Sequence, residues 1–188
     1  MKPDNKKELL RKEMKKKRSS LDNAARNEKS RKIIETLCRT KEFEQSNTVF
    51  CYVSYMDEVE TNLVINHILR NNLKLYVPKI INNEEMIAIR LSNLSDLEPD
   101  KIGILTPKTG EILLEPIDVV ITPGLGFTRK CERLGYGRGY YDRWFSKNSV
   151  KTKIGVAFEI QITDNLPVEK TDVPMDMLIT EKNTINMQ

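Results

Sequence analysis

Hydrophobic residues along the chain follow two rhythms, one recurring every three or four positions and one in short continuous runs. Between about 6 and 18, Leu9, Leu10 and Met14 share one side of a helix otherwise covered in lysine. So narrow a stripe predicts a helix that rests on the body rather than inside it. Ile33, Ile34, Leu37 and Cys38 recur at helical spacing, after Ser20 and Asp22 as capping candidates. The run "NTVFCYVS" (47–54) is rich in β-branched and aromatic residues, as a strand buried on both faces requires. A helix is predicted from about Thr61, then strands at "LKLYVP" (73–78) and "EMIAIRL" (85–91). Residues 92–116 carry three prolines and read as loop, with one short hairpin at "KTGE". The strand "IDVVIT" (117–122), a helix from about Gly139 to Ser146, and strands at "KIGVAF" (153–158) and "MLIT" (177–180) complete the series.

Strands alternating with helices predict one α/β domain over residues 1–188: three layers, a mostly parallel sheet flanked by helices, Rossmann-like. In such sheets ligands bind beyond the carboxyl ends of the strands. "SYMDEVET" after the first strand and "PGLGF" through "GYGRG" after "IDVVIT" are therefore where a site is expected.

Composition removes several function classes. No apolar run approaches the about 20 residues a membrane helix needs. The basic start lacks the apolar stretch of a secretory signal, and Asp4, Glu8 and Glu13 argue against a mitochondrial presequence. A cytoplasmic monomer with no membrane partner is expected. Cys38, Cys51 and Cys131 are far apart and in no C-x-x-C pair, which fits neither a disulfide framework nor a zinc knuckle. The single histidine, His67, falls beside the stripe of Val64, Ile65, Ile68 and Leu69 and is expected in solvent, which leaves no base for a Ser–His or Cys–His hydrolase. The net charge of +4 conceals an asymmetry, because residues 1–32 hold 13 Lys/Arg against 5 Asp/Glu. A basic arm of this kind serves nucleic acid, a phosphate-bearing substrate or solubility equally well.

"RLGYGRGYYDRW" (133–144) narrows the choice. Gly135, Gly137 and Gly139 stand just before a predicted helix, where bare backbone can turn its N–H groups toward an anion. This is neither the Walker pattern nor the dinucleotide fingerprint, since Tyr140 stands where the last glycine of the latter belongs. Three glycines alone also fit a tight structural turn. Arg133 and Arg138, which can grip phosphate oxygens, tip the reading toward phosphate. Asp142 either answers the helix dipole or, beside a polyphosphate, holds Mg²⁺. At the other strand end, Glu58 is the candidate to accept hydrogen bonds from a ligand amine, while Asp57 and Glu60 read as capping and solvated residues. Asp176 opens the last strand, the wrong end for the site if that strand runs parallel.

These segments resemble the 5-formyltetrahydrofolate cyclo-ligase family over nearly the whole chain: "KKELLRKEMKKKR", "SYMDEVET", "PGLGF…RLGYGRGYYDR" and "VAFEIQI…LPVEKTDVPMDMLIT". The resemblance implies ATP- and Mg²⁺-dependent closure of 5-formyltetrahydrofolate to 5,10-methenyltetrahydrofolate. It implies that Lys7, Arg11 and the stretch Arg133, Leu134, Gly135, Tyr136, Gly137, Arg138, Gly139, Tyr140 and Tyr141 surround ATP. It places Val53, Glu58 and residues Tyr136 to Tyr140 on the folate, with or without a polyglutamate tail, and gives Asp142 and Asp176 to Mg²⁺. Tyr140 and Arg138 are then expected beside the transferring phosphoryl group, and Glu58 near the pterin or N10. The chain departs from the family pattern at Thr128 and Cys131, where Asp and Gly are usual, and at Arg138, a position often Gly or Lys. The rival reading, single-strand nucleic-acid binding by the arm and the Arg/Tyr loop, is disfavoured because the glycines sit at a strand-to-helix junction. A relative silent in catalysis, or one acting on another folate or pterin, would carry the same phosphate loop.

Overall fold

Five strands run side by side in parallel, with helices packed on both faces of the sheet they form. The computed structural model describes residues 3–187. In chain order the elements are α1 (Pro3–Ser19), α2 (Asn23–Cys38), α3 (Lys41–Glu44), β1 (Thr48–Cys51), α4 (Asn62–Arg70), β2 (Lys74–Ile80), β3 (Met86–Arg90), β4 (Leu97–Pro99), β5 (Leu105–Pro107), β6 (Ile117–Thr122), β7 (Gly126–Phe127), β8 (Arg133–Leu134), α5 (Tyr140–Lys147), β9 (Val150–Val156), β10 (Met177–Ile179) and β11 (Thr184–Asn186). The seven-stranded sheet has the order β11-β10-β9-β6-β1-β2-β3. Strands β10, β9, β6, β1 and β2 are parallel, and β3 and β11 close the edges antiparallel. The expected mostly parallel sheet flanked by helices is what forms.

Alternation along each strand sorts the core into two layers. Val49 and Cys51 of β1, with Val119 and Ile121 of β6, pack beneath Ile33, Ile34 and Leu37 of α2 and Val64, Ile65 and Ile68 of α4. Phe50 and Val120 point the other way, onto Trp144 of α5. This period of two explains why a run that is apolar throughout is buried on both faces. Asp22 accepts from Ala25 N–H at 2.7 Å and starts α2 as a side-chain cap.

From β1 the chain goes through α4 to β2 on one side, then returns to place β6 on the other. The reversal makes the carboxyl ends of β1 and β6 the switch point, where a crevice opens between the loops that follow. Those loops are the two singled out from sequence.

Three expectations need correction. α1 does more than rest on the body: Met14 is fully buried against Leu125 and Leu134, Lys7 and Arg18 are buried too, and Leu9 faces solvent. Its inward face is Lys7, Arg11, Met14 and Arg18, a helical stripe made mostly of cations and so invisible to a count of apolar residues. The short hairpin in 92–116 forms at β4 and β5 rather than at "KTGE". Its turn is built by Asp100, whose carboxylate accepts from Ile102 and Ile104 N–H at 2.9 Å, and by Gly103 at φ 89°. Asp57 is not a solvated or capping residue, for reasons that belong to the site.

Candidate active site

After β6 the chain turns at once, and buried Gln161 holds the turn by donating to Gly124 O and Leu125 O at 2.8 and 3.0 Å. β7 and β8 then pair as a two-residue hairpin. Thr128 Oγ1 braces its turn by accepting from Lys130 and Glu132 N–H at 3.2 and 3.4 Å. Cys131 adopts φ 61° there, a left-handed position that favours glycine, with its thiol fully buried. The hairpin delivers the chain back to the crevice, where residues 135–139 form a strap ahead of α5.

The strap is gripped from both sides. Arg11 Nε donates to Gly135 O at 3.1 Å, and its guanidinium lies where a Cβ on Gly137 would meet it at 3.3 Å. Gly137 has φ 98° and Gly139 φ 66°, and a Cβ on Gly139 would stand 2.8 Å from Arg143 Nη1. Backbone conformation and close arginine approach therefore both demand glycine. Arg143 donates to Arg138 O and Glu84 O at 2.7 Å, while Tyr140 Oη donates to Asn82 O at 3.0 Å, tying the strap and α5 to the β2–β3 turn. Arg138 is exposed, and among the described residues its guanidinium has no hydrogen-bond or ion-pair partner. Arg143 escaped the sequence reading, since nothing local separates it from a surface arginine.

Beneath the strap, Arg133 donates from Nη2 to Asp142 Oδ1 at 2.9 Å and lies 5.6 Å from the centre of the Tyr141 ring. Tyr141 is turned inward beside Phe50, with its hydroxyl buried and unpartnered. Leu134 packs with Met14 and Leu125. The side chains of Leu134 and Tyr141 thus support the strap from the core. A mostly apolar cavity of about 240 Å³ opens beside Arg133, lined by Leu134, Leu166, Pro167, Val173 and Pro174 together with Lys130, Glu132 and Asp172.

At the end of β1, Val53 is buried and Ser54 and Thr61 close the loop by reciprocal bonds of 2.9 and 3.2 Å. Glu58 Oε2 accepts from Tyr55 N–H at 2.9 Å, and Oε1 accepts from the Tyr136 hydroxyl. Burial pushes the Glu58 carboxyl above the ordinary glutamate range, against the opposing pull of Tyr136, Tyr55 N–H and Arg18. Arg18 reaches in from the last turn of α1, donating to Tyr136 Oη at 2.7 Å and to Asp57 Oδ1 at 2.6 Å. Ser19 also donates to Asp57. Asp57 is therefore the buried counterion of Arg18, while Glu60 stays half-buried and accepts from Asn62 Nδ2 at 3.1 Å. Neither Arg18 nor this role of Asp57 was read from sequence; the spacing of Arg18 from Lys7 and Arg11 on one helix face was the available signal.

The remaining candidates lie to one side. Lys7 sits one turn before Arg11 but pairs with Asp172 at 2.7 Å and Glu169 at 3.1 Å rather than with the strap. Burial works against its charge, yet the two carboxylates outweigh that and hold its pKa above the ordinary lysine value. Asp142 Oδ1 also accepts from Val173 N–H at 3.1 Å, and Asp176 stands at the other end of the stretch 173–176. β10 runs parallel to β9, so Asp176 opens the strand at its amino end, with Lys153 N–H and Nζ on its oxygens at 2.7 to 3.0 Å. Among the described residues no group of three or more His, Cys, Asp or Glu could cage a metal. A Mg²⁺ shared with phosphates needs only one or two carboxylates. Asp142 fits that role, because Oδ2 is left without a described partner; Asp176, at the amino end of a parallel strand and held by Lys153, lies at the end expected from sequence to be wrong for the site.

The 5-formyltetrahydrofolate cyclo-ligase family model matches residues 3–181. A probable 5-formyltetrahydrofolate cyclo-ligase of Caenorhabditis elegans is 30% identical over 174 residues, covering 81% of this chain and 82% of the relative. A 5,10-methenyltetrahydrofolate synthetase structure from Aquifex aeolicus superposes with a TM-score of 0.86 at 33% identity, over 97% of this chain and 93% of the other. That of the Mycoplasma pneumoniae synthetase superposes at 0.76 and 27% identity, over 93% and 98%.

Proposed function

The chain belongs to the 5-formyltetrahydrofolate cyclo-ligase family, and on that premise we propose that it closes 5-formyltetrahydrofolate into 5,10-methenyltetrahydrofolate at the expense of ATP, releasing ADP and phosphate. The observation that carries the reading is the strap of three glycines at the β1/β6 switch point, gripped by Arg11 and Arg143 and offering the unpartnered Arg138.

The formyl group on N5 is an amide, with a poor electrophilic carbon and an oxygen that cannot leave. Transfer of the γ-phosphoryl to that oxygen makes a phosphate ester; N10 then attacks the carbon, and phosphate departs with the formyl oxygen to leave the conjugated cation. Catalysis of this kind is mostly positioning and charge stabilisation, which suits a site without a histidine or an activated nucleophile. The backbone of residues 135–139 cradles the phosphates, with Arg11 approaching from α1 and Arg133 from below, while Lys7, one turn before Arg11, is held by Asp172 and Glu169. Arg138 and Tyr140 stand beside the transferring group. The mostly apolar cavity beside Arg133 takes the base. Val53, Glu58 and the outer side of the strap hold the folate, and Glu58 accepts the N10 proton as the new bond forms. Mg²⁺ would be held through Asp142 and would neutralise charge on the phosphates.

The test is to mix the purified protein with 5-formyltetrahydrofolate and Mg²⁺ and follow the near-ultraviolet absorbance of the methenyl product with and without ATP. An ATP-dependent rise, lost in Tyr140→Ala and weakened in Arg11→Ala, is expected. Binding of both ligands without a rise would indicate a silent or altered-substrate relative, and absence of binding would end the reading.

A further inference from the structure

Arg18 is an uncommon kind of residue: a guanidinium 4% exposed, in the last turn of a helix whose outer face is rich in lysine. It touches both walls of the crevice. Nη2 holds Asp57 in the loop after β1, and Nη1 donates to the hydroxyl of Tyr136 in the strap. An arginine can only donate. The Tyr136 oxygen must therefore accept from it, which turns the single phenolic hydrogen toward the only other described partner, Glu58 Oε1. Glu58 Oε2 already accepts from a backbone N–H, so both oxygens of this carboxylate are used as acceptors.

We propose that Arg18 is a positioning residue for Glu58: it fixes Tyr136 as a one-way donor and so keeps the Glu58 carboxylate ionised and oriented as a proton acceptor in the crevice. The chain of bonds runs Arg18, Tyr136, Glu58, and it crosses from α1 to the strap to the β1 loop. The assignment of a proton-accepting role to Glu58 rests on the proposed function; the coupling of Arg18 to Glu58 does not. The charged and titratable groups that face Glu58 are Arg18 from α1, Asp57 from its own loop, Tyr136 from the strap, Tyr52 beyond β1 and Tyr141 from α5. Tyr52 Oη is committed to Val59 O at 2.8 Å, and Tyr141 Oη makes no hydrogen bond to Glu58, so among the described residues Tyr136 is the hydroxyl that donates to it. Of the nearby charges, Arg18 favours the ionised form and Asp57 opposes it.

The experiment titrates the Glu58 carboxyl in the ligand-free protein by carbon-detected NMR of ¹³C-labelled glutamate, assigned with Glu58→Gln. Arg18→Gln is expected to raise the Glu58 midpoint by about one pH unit, and Arg18→Lys to recover part of it. Because the glutamine variant leaves Asp57 unpaired and can fail to fold, Tyr136→Phe carries the same test with the Arg18–Asp57 pair intact, again with an upward shift. An unmoved Glu58 midpoint in either folded variant overturns the proposal. In turnover assays the acidic limb of kcat/KM should follow the NMR midpoint in Arg18→Gln and Arg18→Lys, with the KM for ATP changed less than twofold. A shifted midpoint in a protein that never turns over would leave the Arg18 coupling standing and remove the proposed reaction instead.

Discussion

Replacing Gly139 by alanine separates the two demands made on that position. The first is conformational: φ 66° places a residue with a Cβ in the left-handed region, at about 1 kcal/mol. The second is steric, because the new Cβ would stand 2.8 Å from Arg143 Nη1 and the guanidinium must move. Movement loosens its two bonds of 2.7 Å to Arg138 O and Glu84 O, worth together about 1 kcal/mol at a partly exposed site. The sum is about 2 kcal/mol, which in a domain of this size lowers Tm by about 4 to 8 °C. Thermal unfolding followed by circular dichroism reads it directly. In an Arg143→Ala background the clash is gone, so Gly139→Ala should then cost only the backbone part, about half as much. The strap also shifts, and ATP affinity measured by calorimetry should fall. An unchanged Tm together with an unchanged ATP affinity would refute the account of this loop as a glycine-dependent strap.

Asp57→Asn should lower stability by about 3 kcal/mol, read as a shift in urea midpoint, because it leaves Arg18 buried without its counterion. Burial pushes Asp57 up, but the Ser19 hydroxyl and Arg18 pull it below the ordinary aspartate value. Its folded-state pKa lies below the unfolded one, so its contribution is complete above about pH 4 and lost as pH falls through the folded value; the variant should lack that part of the acid dependence. Burial raises Cys38 to about 11 and pushes Cys51 and Cys131 upward as well, so native protein at pH 8 should react slowly with a thiol reagent and release three equivalents only when unfolded. A fast equivalent from the folded protein would contradict that burial. Arg11→Ala removes a cation beside the strap without touching a buried ion pair, and should raise the KM for ATP about tenfold while lowering Tm by no more than about 2 °C for the one lost bond.

Periodicity and local chemistry made much of this protein legible before any coordinates. The runs at 47–54 and 117–122 are apolar on both faces and could only be central strands, and β1 and β6 are the centre of the sheet. Alternation of strand and helix required a parallel sheet, and a parallel sheet puts its crevice at the loops after those two strands. The glycines of the strap were visible because a backbone that must turn left-handed and lie against arginines leaves few other residues possible. Tertiary structure decided what those residues face. Arg18 and Asp57 are charged, so sequence statistics put them in solvent; only the meeting of the end of α1 with the loop after β1 buries them as a pair. Lys7 and Arg11 are identical in kind on one helix face, yet one meets Asp172 and the other Gly135, since what each reaches is set by segments more than a hundred residues away. The hairpin of β4 and β5 was misplaced and the edge strand β11 went unread because two or three residues carry too little periodicity to outvote a loop. Local pattern settles which residues form an element; which charge each side chain meets depends on non-local contacts that no window of sequence contains.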